Sequence, residues 1–203
     1  MSATRWLLAI GLGFFSYTFA QCGVIVKVSD GLQFRGDIER GDANRVREAF
    51  FAYGNQTLHL ESPGGRVSEA LAIAEFLKKR QANTNLRANA TCASACVLIF
   101  AGGAVRTSHQ TARLGVHMGS GLLNDGAIQR IRDVYAKHGP AGAAVIGSVY
   151  EQTAAISTLK QVNFFLSAGV SLRLLQLAAS VDHLDIRWLT FAEAKDFNLV
   201  NSE

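Results

Sequence analysis

Thr91-Cys92-Ala93-Ser94-Ala95-Cys96 stands between two runs of opposite character. Asn85 to Ala90 leads in as a polar, strand-like segment. Val97 to Ala101 leads out as an apolar, helix-like one and stops at Gly102-Gly103. A serine between small residues at a strand-to-helix junction keeps its hydroxyl accessible, and the unpaired N–H groups and positive dipole end of the helix can hold a developing oxyanion. A serine hydroxyl is a poor nucleophile until a base takes its proton. His117 is the candidate base, because it closes a second strand-like run, Thr111 to Val116, just before a Gly-rich loop. A lone serine at such a junction is more often a helix cap, so the reading depends on the segments around it.

Upstream, Leu58-His59-Leu60-Glu61 alternates like a strand and is broken by Ser62-Pro63-Gly64-Gly65. A helix follows, with Val67, Ala70, Leu71, Ala74 and Leu77 on one face and Lys78-Lys79-Arg80 at its negative end. Paired glycines let the backbone turn sharply and let a substrate approach an exposed N–H. Along the whole chain the patterns alternate: Val24 to Val28, Arg45 to Ala52, Thr57 to Glu61, Val67 to Arg80, Asn85 to Ala90, Ser94 to Ala101 and Thr111 to His117. Such alternation predicts an α/β fold with parallel strands, and the pattern turns mainly helical from His117 to Ala179.

Ser-Pro-Gly-Gly, then Cys-Ala-Ser-Ala-Cys about thirty residues on, then Leu-Gly-Val-His resembles the Clp protease proteolytic subunit family of the Clp/crotonase superfamily. It is most similar to exported bacterial members with paired cysteines around the serine. The closing stretch Arg187 to Val200 resembles that family's final segment. The resemblance implies a single Clp/crotonase-like domain acting on peptides or unfolded chains as a serine peptidase. Ser94 would be the nucleophile and His117 the general base, with the N–H groups of Gly65 and Ala95 as oxyanion hole. The family's aspartate falls at position 186, where this chain has Ile186. Asp185, one residue earlier, is the candidate orienter of His117, and Asp182 lies three before that. The alternatives are a backbone carbonyl or amide behind the imidazole, or a catalytically weak Clp-fold binding or scaffold protein. The stretch between His117 and Asp185 is longer than the family's, with Gly/Ala-rich sequence around Gly139 to Gly147, in the region through which subunits associate. A homo-oligomer is therefore left open, without a form. Crotonase-type thioester chemistry needs carboxylates and no serine nucleophile, so the Ser94/His117 pair speaks against it.

At the N-terminus Arg5, the apolar run Trp6 to Phe15 and the Thr18-Phe19-Ala20 site predict a signal peptide, 1–20, cleaved before a domain of residues 21–203 in the periplasm. The other reading is an uncleaved membrane anchor, since no charge occurs from Trp6 to Val26. In an oxidising compartment Cys92 and Cys96, four apart as on a helix, can bridge. In a reducing one they would be small buried hydrophobes, and the sequence leaves the choice open. Cys22 would be left over.

The 18% of charged residues and net charge of +4 are scattered, with only Lys78-Lys79-Arg80 clustered, which gives no support to a nucleic-acid partner. No phosphate-binding glycine loop follows a strand, so no nucleotide or other cofactor is implied, and three cysteines are too few for a zinc site. No lysine lies between Lys79 and Lys137, which disfavours a serine–lysine dyad. His59, Glu61 and Asp37 are not paired at ligand spacing. His59 is expected on the solvated face of its strand, and His109 and His138 at the surface. Asn124 and Asp125, past His117, would line a groove or make a turn.

Overall fold

The computed structural model describes residues 23–54, 56–119 and 125–202; the expected leader, Cys22 and Asn124 lie outside them. In chain order the elements are β1 (Val24–Val28), β2 (Gly31–Arg35), α1 (Asp42–Tyr53), β3 (Thr57–Glu61), α2 (Val67–Arg80), β4 (Asn83–Leu86), β5 (Thr91–Ala93) and α3 (Ala95–Ala101). They continue with β6 (Arg106–Ser108), β7 (Arg113–Val116), α4 (Asp125–Ser167), α5 (Arg173–Ala179), β8 (Arg187–Trp188) and α6 (Phe191–Asp196). One sheet has the order β1-β2-β3-β4-β6 and a second the order β5-β7-β8. The pairings β2–β3, β3–β4, β4–β6 and β5–β7 are parallel, as the alternation predicts. The remaining two pairings, β1–β2 and β7–β8, are antiparallel, because β1 and β2 are a hairpin and β8 returns to β7 from the helical region.

Leu32, Phe34, Leu58 and Leu60 are buried on one face of the larger sheet, in one core with Val46 and Phe50 of α1 and the buried stripe Ala70, Leu71, Ile73, Ala74 and Leu77 of α2. All seven residues of α3 are buried, which explains why its sequence shows no polar face. Each buried Leu, Ile or Phe side chain in this layer contributes about 1.5–3 kcal/mol. A substituent at Gly102 would stand 2.6 Å from the Ala74 carbonyl oxygen, so α2 and the end of α3 pack backbone against backbone.

Two expectations change. The polar run read as one strand from Asn85 to Ala90 divides: β4 ends at Leu86, the Ala90 N–H closes a turn onto the Arg87 carbonyl, and Asn89 takes a left-handed φ of 62° before β5 begins in the other sheet. His59 is on the polar side of β3, yet only 4% exposed. Its register neighbours there are Gln33 and Asn85, and Asn85 is followed by Thr107. The His59 Nδ1 lies 3.0 Å from Asn85 Oδ1, and the Asn85 amide donates to Thr107. Asp30, held by an ion pair to Arg87, closes over the ring, 3.2 Å from Nε2 but too poorly aligned to form a hydrogen bond.

α4 is broken at Gly139 (φ 63°, ψ −157°), with Pro140 starting the second limb where its missing N–H costs nothing. Arg130 reaches the Tyr150 hydroxyl at 3.4 Å, which twenty residues of straight helix would hold ~30 Å apart, so the limbs run back beside each other. Much of the second limb is open to solvent, including Val145, Val149, Ile156 and Leu159. α6 starts with a capping box: the Thr190 hydroxyl accepts from the Glu193 N–H, and the Thr190 N–H donates to the Glu193 carboxylate. That backbone bond, with Arg187 alongside, holds the Glu193 carboxyl below its ordinary pKa. The chain end is tied down by buried Arg106, whose guanidinium donates to the carbonyls of Gly103, Asn198 and Leu199.

Candidate active site

Ser94 sits between β5 and α3 with φ 55° and ψ −125°. Such a conformation costs a non-glycine residue about 1–3 kcal/mol and persists only where the surroundings dictate it. Here the Ser94 N–H donates to the Gly115 carbonyl at 2.9 Å, and the Ser94 carbonyl accepts from Val97 at 3.0 Å. The side chain makes no cap hydrogen bond. The helix-cap reading of the sequence is thus not the role this serine takes. A disulfide links Cys92, in the middle of β5, to Cys96, in the first turn of α3, with Cα atoms 5.3 Å apart. The bridge spans the strand-to-helix turn, whereas the spacing had suggested two positions on one helix.

The Ser-Pro-Gly-Gly turn is laced to the same strand: the Ser62 N–H donates to the Thr91 carbonyl at 2.8 Å and the Ala93 N–H to the Ser62 carbonyl at 3.0 Å. On the turn's other side Ile38 donates to the Gly64 carbonyl and accepts from the Arg66 N–H, at 2.7 and 2.8 Å. The Gly65 N–H between them has no hydrogen-bond partner among the described residues, and neither has the Ala95 N–H. A Cβ placed on Gly64, at φ 116°, would stand 2.7 Å from Ser94 Cβ and 3.2 Å from the Ala95 nitrogen. The turn therefore lies directly against the serine. Gly64→Ala is expected to destabilise the protein by about 2–4 kcal/mol through this clash and the left-handed φ. Urea unfolding checks it, and an unchanged midpoint would mean the approach is looser than described.

His117 follows β7, whose parallel register pairs Ala93 with Gly115. Ser94, Ala95 and His117 line one cleft of about 60 Å³, walled by apolar side chains including Val67, Leu98 and Val116. Phe165 of α4 and Leu174, Leu175 and Ala178 of α5 complete it. These helical residues were not singled out from sequence, which shows only that their segments are amphipathic helices and not where they dock. The His117 Nδ1 lies 3.1 Å from the main-chain carbonyl oxygen of His183. Asp185 is exposed and makes no hydrogen bond to His117; its own N–H donates to the Asp182 carbonyl. Ile186 packs on β7, its Cγ2 2.6 Å from where a Cβ on Gly115 would be. Glu61 is paired with Arg35 at 2.7 Å, and His109 and His138 are exposed as expected. Asp125 is the first residue of α4. Among the described residues no three His, Cys, Asp or Glu side chains come together as a metal site.

A two-sheet α/β domain with a strained serine at a strand-to-helix turn, next to a double-glycine turn and a histidine, has the architecture of a Clp-type fold. The Clp protease family profile matches residues 35–138, just over half of the sequence, and the chain belongs to that family. A point mutant of ClpP1 from Listeria monocytogenes is similar in structure, with a TM-score of 0.58 over 83% of this chain and 87% of that one at 16% identity. At that identity the likeness concerns the fold alone. No curated protein matches the sequence.

Proposed function

We propose that the protein is an exported serine peptidase that cleaves peptides or unfolded chains through Ser94 and His117. The observation that carries this reading is the placement of Ser94, strained and uncapped, in the same cleft as His117. Ser94 Oγ attacks the scissile carbonyl carbon while its proton passes to His117 Nε2. The oxyanion is held by the free N–H groups of Gly65 and Ala95, and His117 returns the proton to the departing amine. Water then attacks the acyl-Ser94 ester by the same route in reverse. An exported protein has no access to cytosolic ATP-driven unfoldases, which is why extended substrates are proposed. Fluorophosphonate labelling of the protein tests the reading: adduct mapped to Ser94 is expected, and a folded protein that takes up no probe would defeat it.

A second reading, a Clp-fold scaffold with weak or no catalysis, draws on Ile186 at the aspartate position and on α4. Val145, Val149, Ile156, Leu159 and Leu166 leave an apolar surface along its second limb, of the kind that self-association covers. Export draws on the leader pattern alone. Among the described residues no helix is long and apolar enough to cross a membrane. N-terminal sequencing of the periplasmic protein is expected to begin at Gln21, and an intact Met1 form held at the membrane would replace the signal peptide with an anchor.

A further inference from the structure

What stands behind the His117 ring decides which of its nitrogens can serve as a base. The segment after α5 makes a tight turn there. Met118 donates its N–H to the Val181 carbonyl at 3.2 Å, and Asp185 donates to the Asp182 carbonyl at 3.0 Å. Within the turn the Asp182 carboxylate accepts the Leu184 N–H at 2.9 Å and lies 3.2 Å from the His183 ring. A side-chain oxygen that caps the N–H two residues on is a recognised way of fixing a turn. The consequence is that the His183 carbonyl faces His117 Nδ1 at 3.1 Å. A carbonyl can only accept, so this bond requires the proton on Nδ1 and leaves the lone pair on Nε2.

We infer that the His183 main-chain carbonyl takes the place of the missing carboxylate behind His117, and that Asp182 is the positioning residue that holds this carbonyl by capping its turn. Its bearing on rate rests on the Ser94–His117 reading, but its bearing on the ring does not. Asp185 has no part in it, and Ile186 is tolerated because the orienting atom belongs to the backbone. An uncharged carbonyl fixes the tautomer as a carboxylate does, but it stabilises the imidazolium less, so slower acylation than in a Ser-His-Asp triad is the expected cost.

The test uses the protein without its leader and two readouts. Long-range nitrogen–proton NMR of the imidazoles, with His117 assigned by its absence in His117→Gln, should show the neutral ring as the Nδ1–H tautomer. Asp182→Ala should mix the tautomers and slow fluorophosphonate labelling by ~10-fold, a fraction of the ~10⁴ seen when a triad ring adopts the wrong tautomer. Asp182→Asn keeps the capping oxygen and should restore both readouts, and Asp185→Asn should move neither. An Nε2–H ring in the wild type would overturn the inference. So would a changed tautomer in Asp185→Asn, or an unchanged one in Asp182→Ala. If Asp182→Ala fails to fold, Asp182→Asn decides: loss of the Nδ1–H tautomer there would mean that the charge acts, not the cap. Failure of the peptidase reading is distinguishable, since it removes labelling while the tautomer is still observed.

Discussion

Ser94→Ala is expected to lose all fluorophosphonate labelling, and His117→Ala to slow it by ~10⁴, while both remain folded. The first follows from chemistry: among the described residues no other hydroxyl lines the cleft that also holds His117 and Ala95. The second follows because a neutral serine hydroxyl is a weak nucleophile until its proton is taken. The two residues act as a unit, so a Ser94→Ala/His117→Ala double variant should hydrolyse peptide no more slowly than either single variant. Neither change should cost much stability. Among the described residues the Ser94 side chain makes no hydrogen bond, and the His117 ring bonds only to the His183 main-chain carbonyl. Equal labelling of His117→Ala and wild type would assign the reactivity to the strained turn alone and remove the histidine from the mechanism.

The contrast between what the sequence conveyed and what it did not has a physical cause. Local signals succeeded: β3 and α2 are where alternation and the apolar stripe placed them, and the double glycine marks a turn whose residues have φ 116° and 135°. That His117 closes a strand was also legible, whereas the pairing of that strand with β5, which ends just before Ser94, is seen only in the structure. Burial of His59 was missed because alternation gives a side chain's face but not what folds over that face, here Asp30 from the β1–β2 turn. For His117 the sequence offered Asp185 first and a backbone carbonyl or amide as the alternative, without saying which residue would supply it. The atom behind the ring is the His183 main-chain oxygen, which any residue at position 183 would supply. Asp185 is in the right neighbourhood by number, but it is exposed and closes a turn onto the Asp182 carbonyl that no periodicity could reveal. The apolar walls from α4 and α5 belong to the same class, since helix amphipathicity fixes a face and not a docking site.

Reduction of the Cys92–Cys96 bridge, or the Cys92→Ala/Cys96→Ala variant, is expected to slow labelling of Ser94 by ~10-fold and to lower stability by about 2 kcal/mol. The stability figure is that of chain entropy for a loop of only a few residues. The effect on the site has a different origin. Between the two sulfurs lies the one residue of the elbow that departs from ordinary backbone geometry, Ser94 at φ 55°. Its strain of about 1–3 kcal/mol must be opposed by the neighbours. The hydrogen bonds to Gly115 and from Val97 hold the peptide groups on either side of Ser94, and the bridge holds β5 against the first turn of α3. Freed of the bridge, a turn that relaxes by about 1.4 kcal/mol toward an unstrained conformer leaves a tenth of the molecules with the hydroxyl aimed. Both sulfurs are fully buried, so the reduced thiols stay in the core as small apolar groups and the fold survives, which near-ultraviolet circular dichroism would confirm. Reoxidation should then restore the labelling rate. A reduced protein that labels at the oxidised rate, with free thiols verified by alkylation, would show that packing and hydrogen bonds alone aim Ser94. The bridge would in that case serve stability only.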